Sequence, residues 1–195
     1  MKRMILVTSP PGCGKTRLSK RLATELSHVV YLDKDTLIPL SKQIFAVAGE
    51  PYNRSSPFFK THIRNYEYEV ILALGFEALN YDDTVLINAP FSREVRDPAY
   101  MQALKTKLED LGAKLVVIWI VTDPEVCHQR MIKRNSDRDT WKLANWDEYI
   151  AGIDFSIPDT LGDPETSENL LLYYNSTDEM ADASLARILP LLDNQ

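Results

Sequence analysis

The apolar run Met4-Ile5-Leu6-Val7 leads through Thr8 into Ser9-Pro10-Pro11-Gly12-Cys13-Gly14-Lys15-Thr16, and few patterns constrain a fold so tightly. The run has the length and branching of a buried strand, and Leu18, Leu22 and Leu26 after it recur on one helical face. Between them the glycines let the backbone curl until successive N–H groups point inward at an anion. The following helix adds the positive end of its dipole. Lys15 supplies a mobile charge for the β- and γ-phosphates of a nucleoside triphosphate, and Thr16 a hydroxyl for Mg²⁺. Pro11, Gly12, Cys13, Gly14, Lys15 and Thr16 are thereby nominated as the ATP-binding loop, a P-loop in which Ser9 replaces the usual first glycine. A surface turn rich in glycine and proline would not require a strand before it and Lys-Thr at the mouth of a helix after it.

Further apolar runs at Val29–Leu32, Thr84–Ile87, Leu115–Val121 and Leu170–Tyr174 predict strands. Helical patterns alternate with them at Lys15–Ser27, Leu37–Ala48, Lys60–Leu79, Pro98–Leu111, from Asp123-Pro124-Glu125 onward, and Glu179–Leu192. The long Lys60–Leu79 pattern directs Ile63, Tyr66, Val70, Ile71 and Leu74 inward. Alternation predicts an α/β fold with a five-stranded parallel sheet between helices. At 195 residues the chain fits a single domain with a small helical lid. No stretch nears the eighteen or so apolar residues of a membrane span. Cys13 and Cys127 build no disulfide framework and no metal site, and read as free thiols of a reducing cytoplasm.

Ligands of such sheets sit beyond the carboxyl ends of the strands. The second strand runs out into Asp33-Lys34-Asp35: one carboxylate is placed to hold Mg²⁺ through water and the other to take a proton from an attacking hydroxyl. Capping of the helix that follows is the competing role for both. The third strand ends in Asn88, where a motor ATPase carries an acid, which shifts metal binding toward Thr16 and Asp33. Arg93 and Arg96 read equally as phosphate ligands and as surface residues. Arg130, Arg134 and Arg138 recur every fourth residue, and like charges at that spacing weaken an isolated helix. They make sense as a lid, about residues 128–146, that carries guanidinium groups to a transferring phosphoryl. A solvated basic face is the plainer reading. Asn175-Ser176-Thr177 offers polar groups at the height of an adenine ring, or a plain turn.

The net charge of −6 conceals a polarity. Residues 1–24 carry six Lys/Arg and no acid, whereas residues 139–195 carry twelve acids and two bases. That distribution suits a local phosphate site and disfavours tracking a nucleic-acid backbone.

On these residues the chain resembles the small P-loop kinases of the nucleoside-monophosphate-kinase-like group, and within it the polynucleotide 5′-hydroxyl kinases. Lys133-Arg134-Asn135-Ser136-Asp137-Arg138 matches an Arg-Asn-Ser-x-Arg lid pattern there, and Asp33-x-Asp35 is similar to the acidic pair of shikimate kinase. The resemblance implies a P-loop NTPase fold, ATP and Mg²⁺ as ligands, Asp35 as general base, and Arg134 and Arg138 on the ATP phosphates. The acceptor it implies is a hydroxyl of a small molecule or nucleotide, chosen by the segment at about 36–83. A polynucleotide 5′-end or a nucleotide sugar, as in zeta-toxin-type kinases, are variants. Pro-Pro-Gly-x-Gly-Lys-Thr is also common in ATPases associated with diverse activities, so a nucleotide-binding regulator without an acceptor stands as the alternative.

Overall fold

The computed structural model describes residues 2–193. β1 (Lys2–Thr8), β2 (Val29–Asp33), β3 (Thr84–Asn88), β4 (Ala113–Val121) and β5 (Leu170–Tyr174) form one sheet of order β2-β3-β1-β4-β5, with every pair parallel. β1 is central, Leu6 lying level with Ile87 on one side and Val117 on the other. The helices are α1 (Lys15–Glu25), α2 (Ile38–Ala48), α3 (Pro57–His62), α4 (Arg64–Ala78), α5 (Pro98–Glu109), α6 (Pro124–Arg134), α7 (Thr140–Ala144), α8 (Trp146–Ala151) and α9 (Asp178–Asp193).

Side chains of a strand alternate between faces, and here both faces are covered, so the central strands read as unbroken apolar runs. Met4, Leu6, Val85, Ile87 and Val117 meet Ile71 of α4 and Leu104 and Leu108 of α5. Ile5, Val7, Leu86, Val116 and Ile118 meet Leu18 and Leu22 of α1 and Leu185 and Ile188 of α9. Each such side chain contributes about 1.5–3 kcal/mol by leaving water. Gly75 lets α4 approach closely, because a Cβ there would stand 2.9 Å from the Ile87 side chain.

Two expectations are corrected. The continuous helix at Lys60–Leu79 is two helices, broken at Ile63, whose φ is −126°. Ser56 starts α3 by accepting a hydrogen bond from the Phe59 amide at 3.1 Å. The break turns Phe59 and Ile63 onto Phe45 in a small separate core. The inward face of α4 is then Glu67, Tyr68, Ile71 and Gly75, while Tyr66, Val70 and Leu74 are exposed. Second, α6 stops at Arg134 because Asn135 turns left-handed (φ 45°, ψ 50°). Arg138 lies in a separate helical turn, Asp137–Asp139, so Arg130, Arg134 and Arg138 do not share one helical face. Among the described residues no helix is long and apolar enough to cross a membrane.

Candidate active site

A cleft of about 660 Å³ opens where the carboxyl ends of the strands converge. Its floor is the loop after β1. Gly14 sits at φ +99°, and a Cβ on it would fall 2.3 Å from the Asn175 side chain, so no larger residue fits. Asn175 Nδ2 donates to the Cys13 carbonyl at 2.6 Å, and Thr122 Oγ1 donates to the same oxygen at 3.2 Å. These residues follow β5 and β4, so the loop is braced by both neighbouring strand ends. Asn175, expected near an adenine ring, is buried and its amide is committed to the loop.

Lys15 Nζ donates to the Ser9 carbonyl (3.0 Å), the Pro10 carbonyl (2.9 Å) and Ser9 Oγ (3.3 Å). Burial pulls its pKa down to about 8. Cys13, beneath it, lies 3.3 Å Sγ to Sγ from Cys127 of α6, and both are buried free thiols. The Cys127 hydrogen bond, with help from Lys15 and against burial, holds the Cys13 pKa at about 7.

Asn88, at the end of β3, donates to Thr16 Oγ1 at 3.0 Å and to Asp33 Oδ2 at 2.9 Å. The amide therefore gathers the hydroxyl and the carboxylate expected to serve the metal. Asp33 is also busy structurally: its Oδ1 accepts from the Asp35 amide at 2.9 Å, its Oδ2 from the Tyr31 hydroxyl at 2.9 Å. Its capping role is real. Asp35 is different, because its carboxylate faces the cleft and accepts from the Arg138 guanidinium. Burial alone would raise its pKa, but Lys34, Arg138 and Arg54 hold it below the usual carboxylate range.

Arg134 donates through Nε to Asp139 at 2.9 Å, and Lys142 reaches the same buried carboxylate at 3.2 Å. Lys42 of α2 pairs with Asp137 at 2.6 Å. The segment from α6 to α8 thus leans over the cleft on contacts to Asp35 and α2. His128 of α6 stacks on Trp146 of α8 at 3.8 Å. Arg130 keeps a buried Nη1 with no hydrogen-bond partner, about 3.8 Å from where a Gly14 Cβ would stand. Arg96 is tied to the loop at Asp154 and Ser156, whereas Arg93 lines the cleft.

The feature that sequence reasoning missed lies beside Asp35. Glu67 of α4, almost fully buried, accepts from both Nη atoms of Arg54 at 2.7 Å each, from Lys34 Nζ at 2.9 Å and from Ser41 Oγ at 2.6 Å. The three cationic and hydroxyl donors keep it ionised despite burial, which by itself raises its pKa. Arg64 makes the same two-pronged contact with Glu94, at 2.6 and 3.1 Å. A signal was present: Ile63, Glu67 and Ile71 fall at spacings of four, an acid inside an apolar stripe.

The model of a protein family described as an AAA domain matches residues 4–155. No curated protein matches the chain. Among solved structures, a gluconokinase from Sinorhizobium meliloti 1021 is similar over 98% of this chain and 95% of its own, with 17% identity and a TM-score of 0.54. A shikimate kinase from Acinetobacter baumannii, in complex with shikimate, is similar over 100% and 96%, with 17% identity and a TM-score of 0.53. A structure of the PezAT chromosomal toxin-antitoxin system of Streptococcus pneumoniae is similar over 98% and 87%, with 14% identity and a TM-score of 0.56. At these identities the likeness is one of fold, that of the small P-loop kinases.

Proposed function

The chain belongs to this AAA-domain family, and on that footing we propose that it is an ATP-dependent kinase of a hydroxylated acceptor. The observation that carries the reading is the Asp35 carboxylate, held ionised at the mouth of the phosphate loop under an arginine of the lid. ATP lies on the backbone of Pro11–Thr16, with Lys15 leaving the loop carbonyls for the β- and γ-phosphates. Arg130 has an unpartnered Nη1 beside the loop and turns it to the same phosphates. As the acceptor hydroxyl approaches, Arg138 moves from Asp35 to the transferring group, and Asp35 takes the hydroxyl proton. The acceptor oxygen bonds to the γ-phosphorus while the bond to the ADP oxygen breaks. Arg134 adds charge stabilisation once Asp139 is shared with Lys142 alone.

The donor set suits Mg²⁺. Thr16 Oγ1 and Asp33 Oδ2 are hard oxygens gathered by one amide, and among the described residues no group of three or more His, Cys, Asp or Glu is placed to hold a metal. The ion would be held chiefly by nucleotide oxygens and water, and supplies neutralisation of phosphate charge. About residues 36–83 form the acceptor side and about 128–146 the lid.

A regulator that hydrolyses ATP without an acceptor would want a carboxylate after β3; Asn88 stands there as a hydrogen-bond donor. A nucleic-acid end is a weaker candidate than a small molecule on charge grounds. The test is transfer of label from γ-labelled ATP across sugars, nucleosides, nucleotide sugars and oligonucleotide ends. Label on an acceptor, lost in Asp35→Asn, supports the reading; label released only as inorganic phosphate sinks it.

A further inference from the structure

Eleven Lys/Arg side chains line the cleft against five Asp/Glu, in a chain whose net charge is −6. The topology divides them. Lys15, Arg130, Arg134 and Lys142 stand around the phosphate loop and the lid, enough for a nucleotide that carries roughly two net charges as its magnesium complex. The segments after β2 and β3, the loop before α3 and the start of α4 supply a second set: Lys34, Arg93, Arg54 and Arg64. Pairing does not cancel it. Lys34 and Arg54 share the carboxylate of Glu67, and Lys34 also reaches Asp35 at 3.5 Å, a carboxylate that Arg138 already engages. Arg64 is matched by Glu94, and Arg93 has no acidic partner among the described residues. The Arg54 and Arg64 guanidiniums each lie 4.4 Å from an aromatic ring, of Phe59 and Tyr68, so their planes are fixed before any ligand arrives. Each spends two donors on its carboxylate, leaving the rest of a five-donor fork.

Resting on the kinase reading, we infer that the acceptor already bears a fixed negative charge: an alcohol carrying a carboxylate or a phosphate monoester, with its anion at Arg93 and Arg54 and its hydroxyl at Asp35. A neutral alcohol would leave the surplus of this second set, Arg93 above all, without a counter-charge. An anion with planar or tetrahedral oxygens satisfies the remaining guanidinium donors.

The experiment compares matched acceptors that differ only in the anion: a sugar with its sugar acid and its sugar phosphate, and a nucleoside with its 5′-monophosphate. The anionic member is expected to have a kcat/KM at least about tenfold higher, the scale of one charged hydrogen bond. Arg93→Gln should raise KM for that acceptor about tenfold while the KM for ATP stays within about twofold. Calorimetry on the complex with a non-hydrolysable ATP analogue should show the same loss of acceptor binding. The sugar acid and sugar phosphate arms tell carboxylate from phosphate. Equal use of neutral and anionic acceptors, or an unchanged acceptor KM in Arg93→Gln, overturns the inference and leaves the kinase intact. Transfer to none of them, with ATP bound normally, overturns both.

A second observation is independent of the acceptor. The Cys13 and Cys127 sulfurs, in the phosphate loop and in α6, are 3.3 Å apart, and the loop runs against α6 at this point, since a Cβ on Gly12 would stand 2.8 Å from the Cys127 carbonyl oxygen. The geometry points to a peroxide-driven tie between loop and lid helix. The Cys13 thiolate attacks a peroxide oxygen to give a sulfenic acid and hydroxide. The Cys127 sulfur displaces the second hydroxide, forming the S–S bond and, with two protons, two waters in all. Closing the last 1 Å or so would pull the loop from its braced position. Treatment with hydrogen peroxide should remove two hydrogens by mass and lower ATP affinity at least about tenfold. A thiol reductant should restore both, and Cys127→Ala should keep its affinity throughout. Failure to cross-link, or a cross-linked protein with normal ATP affinity, overturns it.

Discussion

Lys15 rests on three oxygens of its own loop, and none of them is charged. Its pKa near 8 is the cost of that seat, and bound phosphates would lift it back toward the ordinary lysine range. ATP affinity should therefore be constant below about pH 7 and fall as pH rises through 8, because the free protein then loses the proton that the complex needs. Calorimetry at pH 8 in buffers of different ionisation enthalpy should register proton uptake on binding. Lys15→Ala should abolish the uptake and weaken ATP binding or turnover at least about tenfold. Asp35 gives the complementary case. Asp35→Asn keeps the size of the side chain and leaves the Asp33 cap untouched, so it should hold the melting temperature within about 2 °C while phosphoryl transfer falls by roughly 10²–10⁴. A mutant that transfers normally would leave Asp35 as no more than an ion-pair partner of Lys34 and Arg138. The phosphate-loop residues were legible from sequence because a local pattern carries their chemistry. Asn88 was legible only as a missing acid; that its amide gathers Thr16 and Asp33 depends on three strand ends meeting.

At the scale of elements, the strands followed the sequence within a residue or two, since a strand covered on both faces has nothing polar to blur its limits. The helices were harder where the inward face is not apolar. Glu67 occupies the buried stripe of α4, so periodicity put Tyr66, Val70 and Leu74 inside instead. In the segment expected to form the lid, the arginines are separated by the left-handed Asn135, with Arg134 paired to Asp139 and Arg138 to Asp35. Two ion pairs tie that segment across the cleft, Arg138–Asp35 and the half-exposed Lys42–Asp137, the latter worth about 0–1 kcal/mol. Hydrogen exchange over about residues 128–146 should slow when an ATP analogue and Mg²⁺ are added, while β1 and β4 change little. Arg138→Ala should cut transfer more than ATP binding. Unchanged exchange together with normal transfer would leave these arginines as a solvated face.

Across the whole molecule, Glu67 joins parts that are distant in sequence: Lys34 after β2, Ser41 of α2, Arg54 of the connecting loop and α4 itself. Removing it strands the Arg54 guanidinium and leaves buried Lys34 only its 3.5 Å contact with Asp35, so Glu67→Ala should cost about 3–5 kcal/mol, lowering the melting temperature by about 10 °C. A melt within 2 °C or so of the wild type would show that water reaches the network easily. Charge is distributed on the same scale. Outside the cleft, eleven Lys/Arg stand with twenty-three Asp/Glu, so the net charge of the remainder opposes an approaching anion while the cleft attracts it. Such a molecule selects its ligands in flight, before any contact forms. The encounter rate for nucleotide should drop several-fold between low and physiological ionic strength while the dissociation rate stays nearly constant, and stopped-flow mixing reads both.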